Sequence, residues 1–282
     1  MKFLLTGVNG QLGQDFRKLL QENFVDYIAA GSKDLDITSL KSVTKFISTS
    51  PVDVIVNCAA YNAVDLAETQ WQNAFAVNGL GVRNLALAAK RTGSLLVHFS
   101  SDYVFDGDQK RPYTIADHPR PICRYGESKL LGEQFIRDIG SRFILIRTSW
   151  VFGRGNDNFV KKVIAWSKNK DEIRVVEDQV ASPTYTADLS RVTLDLVKSE
   201  AYGIYHVSNS GYCSRHEWAA DILGKIGWDG NLIPAKSGEF NSPAQRPPFS
   251  ALDNYGTPET LGYSLPDWQD ATTRFLMEMG AL

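Results

Sequence analysis

Cysteine is scarce in this sequence, and its placement excludes two classes of protein. Among 282 residues the only cysteines are Cys58, Cys123 and Cys213. They are far apart and odd in number, and no pair has the spacing of a metal site. A disulfide framework is therefore not implied. We expect inert, reduced thiols and a cytoplasmic protein.

Long apolar runs and excess charge are also missing. No run approaches the roughly 20 apolar residues that span a bilayer, and the N-terminal residues 1–6 read as a strand rather than as a secretion leader. Thirty basic and 32 acidic residues leave a net charge of -2, so no strong field attracts nucleic acid or a membrane surface. With 43% hydrophobic residues the composition is typical of a globular protein. We expect a small-molecule partner, with no nucleic acid and no membrane.

Short apolar runs alternate with amphipathic stretches through the first half of the chain. They cover residues 2–6, 53–57, 95–99 and 143–147. Continuous runs of this length are typical of strands buried on both faces, so the pattern predicts a doubly wound α/β fold with a parallel sheet. We expect a dinucleotide-binding domain over residues 1–150 and a smaller, mainly substrate-binding lobe over 151–282. Returns to the main sheet are expected near 173–177 and 187–207.

A glycine-rich turn follows the first strand and opens the first helix. Gly7, Gly10 and Gly13 have the spacing GxxGxxG. Glycines allow a tight turn and let the backbone approach a pyrophosphate closely. The free N–H groups and the dipole at the helix N-terminus attract the negative charge of that pyrophosphate. The turn therefore predicts a Rossmann-type dinucleotide site, in which Asn9, Gln11 and Leu12 are further candidates. The alternative is a tight turn without a ligand.

The identity of the dinucleotide depends on the end of the second strand. Residues 27–31 end without an acidic residue, and Ser32 and Lys33 follow. A carboxylate there would favour NAD, whereas Lys33 could receive a 2′-phosphate. We expect NADPH to be preferred and NADH tolerated; the alternative is that Lys33 is only a solvated charge. The remaining cofactor candidates follow later elements: Asp36, Ile37, Cys58, Ala59, Ala60, Tyr61, Asn78 and Ser100.

Tyr125 and Lys129 form a YxxxK pair. Side chains four residues apart share one face of a helix. In carbonyl reduction a nicotinamide supplies hydride while an acid protonates the oxygen. Free tyrosine has a pKa near 10, and a neighbouring ammonium together with an oxidised nicotinamide would lower it. The pair predicts Tyr125 as general acid, and Lys129 as its partner and a ligand of the nicotinamide ribose.

A third catalytic group is expected at the end of the run 95–99. Ser100 and Ser101 come next, followed by Asp102 and Tyr103. Ligands of open α/β sheets bind at the carboxyl ends of the strands. Either hydroxyl could donate to the substrate carbonyl, and we favour Ser101. The order of glycine turn, serine pair and YxxxK is more specific than any one motif.

Taken together, these motifs resemble the extended short-chain dehydrogenase/reductase family over nearly the whole chain. The segments that carry the resemblance are TGVNGQLG (6–13), LDIT (35–38), NCAAYNAVD (57–65), SSDYVFDG (100–107), YGESKLLGE (125–133), RTSWVFG (147–153), DQ (178–179), SPTYT (182–186), GIYH (203–206) and RP (246–247).

The resemblance implies a nucleotide-sugar substrate. The implied reaction reduces the 4-keto group of dTDP-4-dehydro-6-deoxy-L-mannose, the last step to dTDP-L-rhamnose. The family usually has threonine where this chain has Ser101, and the hydroxyl survives. Implied substrate-binding residues, besides Ser101 and Tyr125, are Val64, Asp102, Tyr103, Trp150 and, for the diphosphate, Arg246.

Several alternatives stay open. Trp150 could be a core tryptophan, and Arg246 a surface salt bridge. The resemblance includes members with magnesium at a dimer contact, so a homodimer is an open alternative. Asp15 is near one expected ligand position, but no paired ligands stand out, and we expect no catalytic metal. Competing functions are reduction of a different 4-keto nucleotide sugar, or a non-catalytic, dinucleotide-binding regulatory subunit. The presence of Tyr125 and Lys129 disfavours the regulatory function.

Overall fold

The computed structural model describes residues 1–282. Its strands are β1 (Phe3–Thr6), β2 (Tyr27–Ala30), β3 (Val54–Asn57), β4 (Leu95–Ser101), β5 (Phe143–Thr148), β6 (Val151–Phe152), β7 (Glu172–Val176), β8 (Val180–Ala181), β9 (Thr184–Tyr185), β10 (Gly203–His206), β11 (Cys213–Ser214) and β12 (Asn231–Ala235). Its helices are α1 (Gln11–Glu22), α2 (Leu40–Thr49), α3 (Val64–Thr69), α4 (Trp71–Phe75), α5 (Val82–Thr92), α6 (Arg124–Ile139), α7 (Phe159–Ser167), α8 (Thr186–Ser199), α9 (Arg215–Lys225), α10 (Thr257–Leu261) and α11 (Trp268–Glu278). A π-helical stretch spans Ala76–Gly81, and 3-10 turns span Asp102–Val104 and Ser237–Glu239.

Six parallel strands form the central sheet, in the order β10-β5-β4-β3-β1-β2. The four apolar runs recognised in the sequence supply β1, β3, β4 and β5, so the predicted parallel sheet is confirmed. From β1 the chain moves to β2 on one side and then to β3 on the other. Ligands of such sheets bind where the strand order reverses, outside the carboxyl ends of the strands. This rule places the expected site at the ends of β1 and β3.

Helices cover both faces of this sheet. Phe3 and Leu5 of β1 share one core with Phe16 and Leu20 of α1 and with residues of α8. Leu4, which points the other way, shares a second core with α2, α5 and α6. Burying each such side chain contributes about 1.5–3 kcal/mol. The doubly wound architecture is therefore confirmed.

The C-terminal half has a separate core and also returns to the sheet. Phe152, Trp218 and Phe275 pack together in this core with α7, α9 and α11. The helix and strand at 187–207 rejoin the central sheet as α8 and β10. No helix of the chain combines the length and the apolar character needed to cross a bilayer.

The expected return near 173–177 is wrong. β7 pairs with β12 in a separate two-stranded parallel sheet. Ile173 and Val175 are buried, whereas Glu172 and Arg174 are exposed. A strand with one buried and one exposed face suits a two-layer lobe, whereas strands of the central sheet are covered on both faces. The alternation of apolar and charged residues was the signal for this difference.

Candidate active site

Two adjoining cavities lie at the carboxyl ends of the central strands. We name the first, of about 440 Å³, the glycine-turn cavity, because Gly7 and Asn9 form part of its wall. We name the second, of about 310 Å³, the tyrosine cavity, because Tyr125 and Lys129 form part of its wall. Gly10 belongs to both walls. The two cavities therefore form one continuous cleft at the position expected from the strand order.

The three glycines of the turn have different tasks. Gly7 has φ +64°, and a Cβ on it would lie 2.4 Å from the backbone nitrogen of Ala59. A Cβ on Gly13 would lie 2.4 Å from the Gly7 carbonyl oxygen. These two positions fix the turn against β3 and the start of α1. A Cβ on Gly10 would make only an ordinary contact, at 3.4 Å, and Gly10 lines both cavities. The backbone N–H groups at the start of a helix, next to open space, are suited to bind a pyrophosphate.

Most cofactor candidates from the sequence lie on the cleft wall. Gly7, Asn9, Gly10, Ser32, Asp36, Ile37, Cys58, Ala59 and Ala60 line the glycine-turn cavity. Gln11, Leu12, Ser100, Tyr125 and Lys129 line the tyrosine cavity. Burial raises the pKa of the Cys58 thiol, so this cysteine is neutral. Gly13, Lys33, Tyr61 and Asn78 do not line either cavity.

The end of β2 differs in one respect from the sequence interpretation. Lys33 is exposed. Asp34 accepts a hydrogen bond from the Gly31 N–H at 2.9 Å, so an acidic group does lie at this edge. Asp36 accepts hydrogen bonds from the backbone N–H and hydroxyl of Thr38, at 2.9 and 2.7 Å. The carboxylate of Asp36 therefore already has partners of its own.

Asn78 and Tyr61 connect two elements that carry wall residues, although neither side chain lines either of the two cavities. The Asn78 amide accepts from the Tyr61 N–H at 2.9 Å, and donates to the Tyr61 carbonyl and the Ser128 hydroxyl, both at 3.0 Å. Asn78 is almost fully buried. Its side chain thus joins the loop after β3 to helix α6, which carries Tyr125 and Lys129.

Tyr125 and Lys129 lie on one face of α6, as the spacing predicted. The Tyr125 ring packs edge-on against Tyr103, with centroids 5.7 Å apart. The Lys129 Nζ donates to the Phe99 carbonyl at 2.6 Å. Burial lowers the pKa of Lys129 to about 8, although the negative charge of Glu133 opposes this shift. Lys129 therefore remains largely protonated at neutral pH.

In the protein alone the pKa of Tyr125 is raised, whereas the predicted lowering depended also on a bound, oxidised nicotinamide. Burial raises the pKa, and the negative charge of Asp102 raises it further, while the neighbouring Ser101 hydroxyl lowers it by a smaller amount. Desolvation and the nearby carboxylate both disfavour the phenolate. Tyr125 is thus a neutral phenol, the form that a general acid requires.

Ser101 and Asp102 form a buried pair beside Tyr125. The Ser101 hydroxyl donates to Asp102 Oδ1 at 2.9 Å and accepts from the Tyr103 N–H at 3.1 Å. Ser250 donates to Asp102 Oδ2 at 2.6 Å. Burial raises the pKa of Asp102 to about 6, against the hydrogen bonds from the two serines. Ser101 must turn away from Asp102 to donate to a substrate carbonyl.

Ser100 belongs to a second buried network behind the wall. Its hydroxyl donates to Glu133 Oε1 at 2.5 Å. Arg147 holds the same carboxylate with two hydrogen bonds, at 3.0 and 2.7 Å. Glu133 and Arg147 are both essentially inaccessible to water. This network ties β4, α6 and β5 together immediately behind Lys129.

The substrate candidates separate into two groups. Val64, Ser101, Asp102, Tyr103, Tyr125 and Trp150 line the tyrosine cavity. Arg246 does not, and it forms an ion pair with Asp65 at 2.7 Å. The salt-bridge alternative therefore describes the contact that Arg246 makes in this structure.

Several wall residues were not found from the sequence. Thr148 ends β5, Ser149 follows it, and both line the tyrosine cavity. The strand-end rule that selected Ser101 could have found them. Arg215 lies with its guanidinium carbon 3.6 Å from the centroid of the Trp150 ring. No local pattern indicated this residue, because its position depends on how α9 packs against the segment after β5.

The candidate magnesium position has no set of ligands around it. No group of three or more His, Cys, Asp or Glu side chains in the chain could hold a metal ion. Asp15 is buried and accepts a hydrogen bond from the Thr186 hydroxyl. Burial raises the pKa of Asp15.

Comparison with known proteins places this cleft in a family. Residues 1–281 match the RmlD substrate binding domain. The spore coat polysaccharide biosynthesis protein SpsK of Bacillus subtilis is 38% identical, with 98% of this chain and 97% of that protein covered. A dTDP-4-dehydrorhamnose reductase from Clostridium acetobutylicum is 40% identical, with a TM-score of 0.96 and coverage of 99% and 100%. A dTDP-4-dehydrorhamnose reductase from Bacillus anthracis, solved in complex with NADP, is 38% identical, with a TM-score of 0.95 and coverage of 98% and 99%.

The family match extends over nearly every residue, and the two reductase structures resemble this chain over nearly its whole length. Both comparisons therefore include the strands and helices that form the cleft. The chain therefore belongs to the RmlD substrate-binding domain family and is an oxidoreductase.

Proposed function

We propose that the protein reduces the 4-keto group of dTDP-4-dehydro-6-deoxy-L-mannose to give dTDP-L-rhamnose, with NADPH as the preferred reductant. The observation that carries this proposal is the meeting of Tyr125, Lys129 and Ser101 on the wall of the tyrosine cavity, directly beside the glycine-turn cavity. The two reductases with this fold support the choice of substrate.

The residues of α6 that line the tyrosine cavity, Tyr125 and Lys129, carry out the proton transfer. A bound reduced nicotinamide supplies the hydride to C4 of the sugar. The Tyr125 hydroxyl donates its proton to the C4 oxygen, so that the C=O bond becomes CH–OH. The Ser101 hydroxyl holds the same oxygen by a hydrogen bond, which strengthens as negative charge develops. The charged Lys129 stabilises the phenolate that remains after the transfer.

The proposed cofactor preference rests on Lys33 at the edge beyond β2, where the Asp34 carboxylate is engaged by the Gly31 N–H. Ser32 lines the glycine-turn cavity, and Lys33 is exposed next to it. A flexible, solvated ammonium there attracts a 2′-phosphate without excluding a ribose hydroxyl. The Bacillus anthracis reductase was solved in complex with NADP, which supports NADP(H) as a cofactor. We therefore propose NADPH with NADH tolerated.

The sugar is held by the remaining wall of the tyrosine cavity. Val64, Tyr103 and Trp150 supply apolar surface, and Asp102 supplies polar contact. An indole offers a broad face to the apolar side of a sugar ring. The sugar's C4 then faces Tyr125 and Ser101.

The experiment mixes the purified protein with NADPH, or separately NADH, and dTDP-4-dehydro-6-deoxy-L-mannose made in situ. Nicotinamide absorbance is followed and the sugar product is identified. We expect turnover with both cofactors, a higher kcat/KM for NADPH, and dTDP-L-rhamnose as the product. A product of opposite configuration at C4 would establish a different 4-keto reductase. Dinucleotide binding without any turnover would replace the proposal with a regulatory role.

A further inference from the structure

A third cavity opens on the other side of Trp150. It measures about 220 Å³ and shares Trp150 and Val151 with the tyrosine cavity. The rest of its wall consists of Phe159, Lys162, Arg215 and Trp218. We name it the tryptophan cavity. It combines three large aromatic rings with two cations and no carboxylate.

Arg215 is the central cation of this cavity. Its guanidinium carbon lies 3.6 Å from the Trp150 centroid, 4.7 Å from the Phe159 centroid and 5.6 Å from the Trp218 centroid. Aromatic faces attract a guanidinium but do not satisfy its N–H donors. Burial lowers the pKa of Arg215 only to about 10, and its nearest acidic neighbours act on it through charge alone, without a hydrogen bond. Arg215 is thus a half-buried cation that packs on aromatic rings and has no salt-bridge partner in the protein.

The neighbouring charges do not neutralise it. The negative charge of Asp102 acts on Arg215, but the two side chains form no ion pair, and both Asp102 oxygens accept serine hydroxyls instead. Lys162 adds a second positive charge and is itself paired only loosely, with Asp157 at 3.6 Å. An anionic ligand would give this half-buried cation the partner that the protein itself does not supply.

Arg246 is already neutralised, in contrast. Its guanidinium meets Asp65 at 2.7 Å, and the other oxygen of Asp65 accepts the Ala244 N–H at 3.2 Å. The Arg246 guanidinium keeps the pKa of Asp65 below its usual value. A diphosphate would have to compete with this carboxylate for Arg246, whereas at Arg215 no such competition exists.

The backbone of Trp150 is a second observation at the same wall. Trp150 has φ +43°, a left-handed conformation that is strained for a residue with a side chain. Its ring lies nearly parallel to that of Trp218, with 7° between the planes and 5.8 Å between the centroids. The strained backbone holds the indole between the tyrosine cavity and Arg215. Strain of this kind persists where the surroundings enforce it, often at ligand sites.

We propose that Arg215 binds the diphosphate of the nucleotide sugar in the tryptophan cavity, in place of Arg246. This inference rests on the proposed function. C1 and C4 are at opposite ends of a pyranose ring, so a sugar with C4 at Tyr125 directs its C1 diphosphate away from that residue and past Trp150. The planar guanidinium fork matches phosphate oxygens, and the aromatic rings fix its orientation before binding.

Binding of dTDP and of thymidine to the intact protein, measured by titration calorimetry, tests the assignment. The two ligands share a base and a sugar and differ by the diphosphate. We expect Arg215→Gln to weaken dTDP binding about 10- to 100-fold, the loss of one or more charged hydrogen bonds, and to change thymidine binding less than about twofold. Arg215→Lys keeps the charge without the fork, and we expect an intermediate loss. The difference between the ligands should shrink at high salt.

Two further variants control the experiment. Arg191 also stacks on an aromatic ring, that of Tyr263 at 5.4 Å, but it does not line the tryptophan cavity. Arg191→Gln should leave dTDP affinity unchanged. Arg246→Gln should weaken dTDP binding by less than Arg215→Gln does.

Three results would overturn the inference while leaving the proposed function in place. They are wild-type dTDP affinity in Arg215→Gln, equal losses of dTDP and thymidine affinity in that variant, or a larger loss in Arg246→Gln. Failure of the wild-type protein to bind dTDP would overturn both the inference and the proposed substrate. If Arg215→Gln does not fold, the Arg215→Lys series decides by the same comparison of ligands.

Discussion

Asp102 shows how a single residue at the site carries a cost for stability. It is 2% exposed, and burial raises its pKa from 3.8 to about 6. A raised pKa means that the folded protein binds the proton more tightly than the unfolded chain does. Between about pH 4 and pH 6 the free energy of unfolding therefore falls as pH rises. Above this window the ionised carboxylate costs on the order of 3 kcal/mol.

We predict that Asp102→Asn removes this pH-dependent cost. The variant should gain stability relative to wild type as pH rises from 4 to 7, because its amide does not ionise. Urea unfolding at pH 4, 5, 6 and 7 measures the difference, in which the other titrating groups cancel. A difference between the two proteins that stays constant over this range would contradict the assigned pKa.

The sequence predicted those site residues whose chemistry is visible in local spacing. Tyr125 and Lys129 were found because four residues of helix bring them to one face, and Ser101 because it ends a strand. Arg215 was missed because its neighbours Trp150 and Phe159 come from distant parts of the chain. Burial raises the pKa of Tyr125 in the protein alone, an effect that cannot be read from the spacing of two residues, whereas the predicted lowering depended also on a bound, oxidised nicotinamide.

At the scale of elements, α6 is held against the π-helical stretch by close backbone contact. A Cβ on Gly132 of α6 would lie 2.3 Å from the Asn78 carbonyl oxygen. Asn78 in turn holds the Tyr61 loop and Ser128. The position of α6, which carries Tyr125 and Lys129, therefore depends on the absence of a side chain at Gly132.

We predict that Gly132→Ala destabilises the protein by roughly 1–3 kcal/mol, the usual cost of overpacking. Gly224 in α9 is the matched control, because a Cβ there would meet no atom within 4 Å. Gly224→Ala should stabilise the protein by up to about 1 kcal/mol, through helix propensity alone. Thermal and urea unfolding measure both. Equal stabilisation by the two substitutions would show that the backbone contact at Gly132 does not matter.

The sequence predicted the sheet of a strand correctly where both faces of the strand are buried. It predicted the wrong sheet where one face is exposed. β1, β3, β4 and β5 are continuous apolar runs, and each appears in the central sheet within two residues of its predicted bounds. β7 was recognised as a strand but assigned to the wrong sheet. Its partner β12 lies more than 50 residues later, and no sequence pattern in either strand indicates that the two strands pair.

At the scale of the whole molecule, the site draws on both halves of the chain. Ser250 of the C-terminal half holds Asp102, and Arg246 holds Asp65, across 148 and 181 residues of sequence. The buried Glu133–Arg147 pair links the catalytic helix to the neighbouring strands β4 and β5. The C-terminal segment thus holds two acidic residues, Asp65 and Asp102, at and beside the cleft wall. Such long-range contacts explain why the sequence predicted the catalytic face more fully than the substrate wall.

The central claim is that Tyr125 donates the proton during reduction of the 4-keto sugar. The most direct test is single-turnover oxidation of NADPH by the keto-sugar substrate, comparing wild type with Tyr125→Phe. The account predicts a loss of about 10²- to 10⁴-fold in rate, the usual contribution of a positioned acid, with NADPH affinity unchanged within about twofold. A variant that reduces the sugar within tenfold of the wild-type rate would contradict it.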